Sequence, residues 1–232
     1  MLWYYMDIGF IVLVVPAMIL SLAAQIRVKS VFRKLSRVRS YSGLTGAQAA
    51  YKVLTFYGIQ DVRIEQTRGR LSDHFDPRAR VIRLSQDVYG STSIAAIGVA
   101  CHEAGHAAQH ANRYLPVRLR NGLLPVCNIG SMMGFPLILL GYFMAFEPLI
   151  TFGLCLFALI ALFQLVTLPV EFNASNRALQ VIDETGILQE KERTGAKKVL
   201  WAASMTYVAA LIVSLANLLR LFLRFGGGSR RR

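Results

Sequence analysis

Two histidines one helical turn apart, with a glutamate beside the first, stand in His102-Glu103-Ala104-Gly105-His106. At 100° and about 1.5 Å per residue, His102 and His106 stack on one face of a helix. Two imidazoles placed this way can share one tetrahedral Zn2+ at roughly 2.0–2.1 Å each. Glu103 is offset toward the same side, close enough to act as general base on a water at the metal. The plain alternative is a polar helix face with hydrogen-bonded histidines. The chain has only four histidines, however, and two fall at this spacing around a glutamate, which favours metal-dependent hydrolysis. His110 is a further turn and more along, about 12 Å from His102, too far to reach the same ion. Cys101 points some 100° away from His102 and reads as a packed thiol. The site is incomplete without a third ligand.

The elements around the motif have their own signals. Thr45 with Gln48 three residues on forms a capping box, Ala47 to Tyr57 reads as a helix, and Gly58 stops it. Val62 to Glu65 alternates as a short strand. Asp76-Pro77 marks a turn before a second strand at Arg80 to Leu84, and the motif helix starts near Ser91 to Ser93. His74, in Asp73-His74-Phe75-Asp76, reads as a loop histidine satisfied by a neighbouring aspartate. Contact with substrate or an oxyanion is its competing role.

The rest of the chain is apolar: 54% of its 232 residues are hydrophobic, and uncharged runs long enough to cross a bilayer recur. The expected fold is a predominantly α-helical integral membrane protein, with about four transmembrane helices plus a small α+β zincin-like catalytic unit. The expected division is an N-terminal span over 1–26 and an α+β domain with the motif helix over 27–122. A transmembrane hairpin (123–170) and a helix carrying the third ligand (171–198) follow, then a C-terminal apolar helix (199–225) and a basic tail (226–232).

The net charge of +13 would suit nucleic acid, but no nucleic-acid motif accompanies it, and the basic residues cluster beside apolar runs. Trp3, Tyr4 and Tyr5 make an interface belt ahead of the first run. Arg27, Lys29, Arg33, Lys34, Arg37 and Arg39 follow it with no acid among them, which places that end in the cytoplasm. The last apolar run conflicts with the same rule, since a full crossing carries Arg220, Arg224 and the terminal arginines outside. Three scattered cysteines require no disulfide.

Topology narrows the search for the third ligand. The segments Leu123 to Phe146 and Leu149 to Leu168 form a hairpin that returns the chain to the side it left, and the first acid there is Glu171. Pro169 suits a helix start. Glu171 is therefore the candidate third ligand, against the plainer reading of a helix N-terminal carboxylate favoured by the dipole. Glu147 lies on the opposite side. Asp183, Glu184 and the Glu190–Arg193 cluster read as a solvated, self-paired surface.

Taken together, these residues resemble the YugP-type neutral zinc metallopeptidases of bacterial membranes, relatives of the HtpX-like gluzincins. The resemblance rests on Ser42–Gly46, Asp73–Pro77, His102–His110 and Leu165–Ser175, and covers nearly the whole chain. It implies one catalytic Zn2+ held by His102, His106 and Glu171, with Glu103 as base. The wider HtpX-like pattern has an aspartate four residues after the glutamate ligand, where this chain has Ser175, a hydrogen-bonding group without charge. Ser175, Asn173, Arg177 and His74 are the candidates for supporting the ligands or stabilising an oxyanion.

The expected function is a membrane-bound zinc endopeptidase, multi-pass in the cell membrane, with its site on the cytoplasmic face. Its partners are membrane-associated protein or peptide substrates and the bilayer; oligomeric state has no signal. The rivals are a site-2-type intramembrane protease and a zinc-binding transporter or scaffold. The first lacks an Asp-Gly partner motif in another span, and the second would need more polar residues lining the spans than Asn128, Gln164 and Asn217.

Overall fold

The computed structural model describes residues 8–69 and 72–226. Trp3, Tyr4, Tyr5 and the tail beyond Gly226 lie outside those residues. Four helices among them are long and apolar enough to cross a membrane: Phe10–Leu35, Leu115–Phe143, Glu147–Thr185 and Glu190–Phe225. The chain is accordingly a helical membrane protein with a small α+β part. It divides into two compact units, one of residues 1–24, 118–168 and 206–232, the other of residues 25–117 and 169–205.

Helix α1 (Val15–Leu35) starts in the first unit and continues into the second, and it is entered through a π-helical turn, Phe10–Val14, closed by the Val15 N–H on the Phe10 carbonyl. The widened turn stands just before Pro16, which has no N–H and whose ring crowds the carbonyl four residues earlier. Helices α5 (Leu115–Phe143) and α6 (Glu147–Thr185) pair through small residues. A Cβ on Gly153 would stand 2.8 Å from the Gly134 carbonyl oxygen, so glycine is what lets these backbones approach where lipid offers no hydrophobic drive. The turn between them is Met144–Phe146, with Ala145 at φ 52°. Glu147 is the first residue of α6 and not part of the link.

The second unit holds the expected capping box. Thr45 Oγ1 accepts from the Gln48 N–H and Gln48 Oε1 from the Thr45 N–H, starting α2 (Gly46–Phe56), and Gly58 ends it in the left-handed region at φ +67°. Strands β1 (Arg63–Thr67), β2 (His74–Asp76) and β3 (Val81–Ser85) form a sheet in the order β1-β3-β2. β1 runs parallel to β3 with Arg63 opposite Val81, and β2 runs antiparallel with His74 opposite Arg83. The short α3 (Gln86–Tyr89) leads to α4 (Ile94–Ala111), whose N-cap Ser93 accepts from the Ala96 N–H.

The core packs α2, β3 and α4 against the polar part of α6 and the start of α7 (Glu190–Phe225), through Leu54, Ile82, Leu84, Ile97, Ile182 and Leu200. Asp183 pairs with Arg193, and Glu192 accepts from the Tyr41 and Gln189 N–H groups, so part of the acidic cluster braces the start of α7.

Three sequence expectations change. Pro169 does not start a helix: α6 runs through it to Thr185. Residues 171–198 are not one helix, because the chain breaks at Gly186, φ +62°, between α6 and α7. His74 is not in a loop but on the edge strand β2.

Candidate metal centre

α4 presents His102 and His106 on one face, their ring centroids 4.7 Å apart and their planes at 81°. Glu171 arrives from α6. Its Oε2 lies 3.4 Å from His102 Nε2 and 3.7 Å from His106 Nε2, and the carboxylate side chain is only 4% exposed. One atom from each of the three residues falls within 4.8 Å of the others, a group able to hold a metal ion. A tetrahedral ion with bonds of about 2.0–2.1 Å sets its ligand atoms about 3.3–3.4 Å apart, which the 3.4 Å separation meets and the 3.7 Å separation exceeds by only about 0.3 Å. Nδ1 of each ring is engaged elsewhere, which leaves both Nε2 atoms toward Glu171.

Two features of the backbone bring these groups together. Glu171 lies deep within α6 and not at its N-terminus, so the macrodipole does not account for a buried carboxylate there. Gly105, between the two histidines, faces α6 so closely that a Cβ would stand 2.5 Å from the Ala174 carbonyl oxygen. Only glycine allows that approach. Its significance lies in the neighbouring helix, beyond the reach of the motif spacing.

A second layer of hydrogen bonds surrounds the cluster. Ser175 Oγ is 3.1 Å from His102 Nδ1, in the position where the wider family pattern has an aspartate. Gln109 Oε1 is 3.0 Å from His106 Nδ1, and Gln109 Nε2 donates to the Val170 carbonyl at 2.7 Å and to Asn173 Oδ1 at 3.1 Å. Arg177 Nε donates to the same Asn173 Oδ1 at 2.8 Å, and its guanidinium lies 5.7 Å from the centre of the Tyr57 ring. Asn173 and Arg177 thus connect to His106 through Gln109, a residue not among those singled out from the sequence. The available signal was its position three residues after His106, on the same helix face.

Burial opposes a proton on His106. The hydrogen bond and charge of Glu171, the charge of Glu103 and the hydrogen bond with Gln109 outweigh it, raising the affinity for a proton above that of an ordinary imidazole. Glu103 is 9% exposed and, among the described residues, accepts no hydrogen bond from a protein donor. Cys101 is fully buried, and desolvation pushes its thiol up to about 12, the behaviour of a packing group. Burial also raises Asp73, partly offset by hydrogen bonds from the Ser85 N–H and Oγ. His74 is not in the cluster: Nδ1 faces the Ser72 carbonyl at 2.8 Å and Nε2 faces Arg83 at 3.3 Å. His110 is exposed, edge-on to Phe75 of β2.

No solved structure matches the chain. A curated relative from Bacillus subtilis (strain 168), described as "Putative membrane protease YugP", is 48% identical over 219 residues, covering 94% of this chain and 97% of the relative. The family model described as "Putative neutral zinc metallopeptidase" matches residues 10–226, which include every residue of the cluster. The chain belongs to that family of neutral zinc metallopeptidases.

Proposed function

We propose that this protein is a membrane-bound zinc endopeptidase with His102, His106 and Glu171 as its metal ligands and Glu103 as its general base. The observation that carries the reading is Glu171, a buried mid-helix carboxylate brought within 3.4 and 3.7 Å of two imidazole nitrogens. Zinc held there supplies a Lewis acid that lowers the pKa of a water and stabilises charge on a carbonyl oxygen. Glu103, next to His102 and, among the described residues, without a competing protein donor, takes a proton from the attacking water and delivers it to the departing amine.

β2 is an edge strand packed beside α4, and an extended substrate backbone can pair along its open side. That supplies affinity with little dependence on side chains, which suits membrane-proximal protein segments as substrates. The basic residues that close α1, Arg33 and Lys34, with Arg37 and Arg39 beyond them, favour a cytoplasmic site and a multi-pass topology. An intramembrane mechanism is disfavoured because α4 is not among the four helices apolar enough to cross.

Glu103→Gln tests the chemistry. The variant is expected to bind one zinc and to cut nothing, and a variant that still cleaves peptide removes Glu103 as the base.

A further inference from the structure

Gln109 is 0% exposed, and its amide nitrogen meets two neighbours whose hydrogen-bonding sense is fixed. The atom 2.7 Å from the Val170 carbonyl faces a group that can only accept, so it is the amide nitrogen. Its other contact, 3.1 Å away, is Asn173 Oδ1. That atom must be the asparagine oxygen, because it also receives Arg177 Nε at 2.8 Å and a guanidinium only donates. The remaining atom of Gln109, Oε1, then faces His106 Nδ1 at 3.0 Å. An amide oxygen only accepts, so Nδ1 carries the proton.

We propose that Gln109 is the positioning residue that holds His106 in the Nδ1–H tautomer and so keeps the Nε2 lone pair aimed at the metal. This rests on the zinc-centre reading above. The direction of the chain is set at its far end by Arg177, whose charge is permanent and whose guanidinium lies over the Tyr57 ring at the C-terminus of α2. Val170 and Asn173 flank Glu171 on α6, so the two groups that orient Gln109 sit beside the third ligand. A single amide therefore ties the orientation of one ligand to the helix that delivers another. Outer groups of this kind fix tautomer and ring angle and raise ligand basicity.

The test uses the full chain in detergent with zinc alone as the probe. Dissociation constants come from chelator competition, and the state of the His106 ring from 15N spectra of the zinc-loaded protein. Gln109→Met keeps length and removes every polar atom. It is expected to weaken zinc binding roughly 10–100-fold and to lose the protected Nδ1–H signal. Asn173 acts only through its oxygen, so Asn173→Asp is expected to stay near wild type while Asn173→Leu moves toward the Gln109→Met value. Wild-type zinc affinity in Gln109→Met, an unchanged His106 spectrum, or equal losses in the two Asn173 variants overturns the proposal. If Gln109→Met does not fold, the Asn173 pair decides alone. None of these measurements involves cleavage. A protein that passes them yet cuts no substrate refutes the peptidase reading and leaves the role of Gln109 intact.

Discussion

Replacing Gly105 by alanine puts one methyl group between the His102 and His106 positions of α4 and the backbone of α6. Its Cβ would lie 2.5 Å from the Ala174 carbonyl oxygen, a backbone atom that cannot rotate away. Ordinary C–H···O contacts begin at about 3.3–3.6 Å, so the backbones must part by roughly 1 Å at that point. A metal site tolerates about 0.2 Å in its ligand distances. Glu171 is three residues from Ala174 on the same helix and moves with it, opening separations that now stand at 3.4 and 3.7 Å.

Gly105→Ala is therefore expected to lower stability by about 1–3 kcal/mol, the usual cost of over-packing. Zinc affinity should fall at least tenfold, the lower range for losing even an outer supporting group. The assay is chelator competition on purified protein, with thermal unfolding of the metal-free form alongside. Gly122→Ala is the control, since a Cβ there meets nothing within 4 Å. It should leave zinc binding unchanged. Wild-type affinity and stability in Gly105→Ala would refute the claim that close approach of α4 and α6 builds the site.

Ser175→Ala removes the hydroxyl 3.1 Å from His102 Nδ1 and should weaken zinc roughly 10–100-fold, whereas Ser175→Asp should bind at least as well as wild type; wild-type affinity in Ser175→Ala would remove Ser175 from any supporting role. Thr45→Ala removes the hydroxyl half of the capping box, leaving the backbone N–H on Gln48 Oε1, and should cost about 1 kcal/mol in equilibrium unfolding without changing zinc stoichiometry. The raised proton affinity of His106 means that the metal-free site holds a proton to higher pH than an ordinary imidazole. Zinc must displace that proton, so its affinity should rise with pH through and above the usual imidazole range near 6.5 and then level off. Titrations giving one dissociation constant at all pH values would contradict this.

The parts of the structure that the sequence made legible are those governed by local rules. The His102–His106 spacing, the capping box at Thr45, the glycine stop at Gly58 and the cap at Ser93 each depend on residues within a turn or two of one another. The hairpin made Glu171 a candidate because a chain that crosses and returns restricts which acids share a side. Pro169 misled because proline at the first turn of a helix and proline within a long one look alike without neighbours to hold the helix together. β2 is three residues long and owes its extension to pairing with β3, so no alternation precedes it in the sequence. Gln109 and Gly105 were hidden for a related reason: the partners that give them meaning, Val170, Asn173 and Ala174, lie on another helix.

The most direct test of the account is zinc content after exhaustive dialysis, measured on the purified wild type, on Glu103→Gln and on Glu171→Ala. One equivalent in the first two and almost none in the third is the predicted result, since only the third loses a ligand. One full equivalent retained by Glu171→Ala would contradict the central claim that the metal is held between α4 and α6.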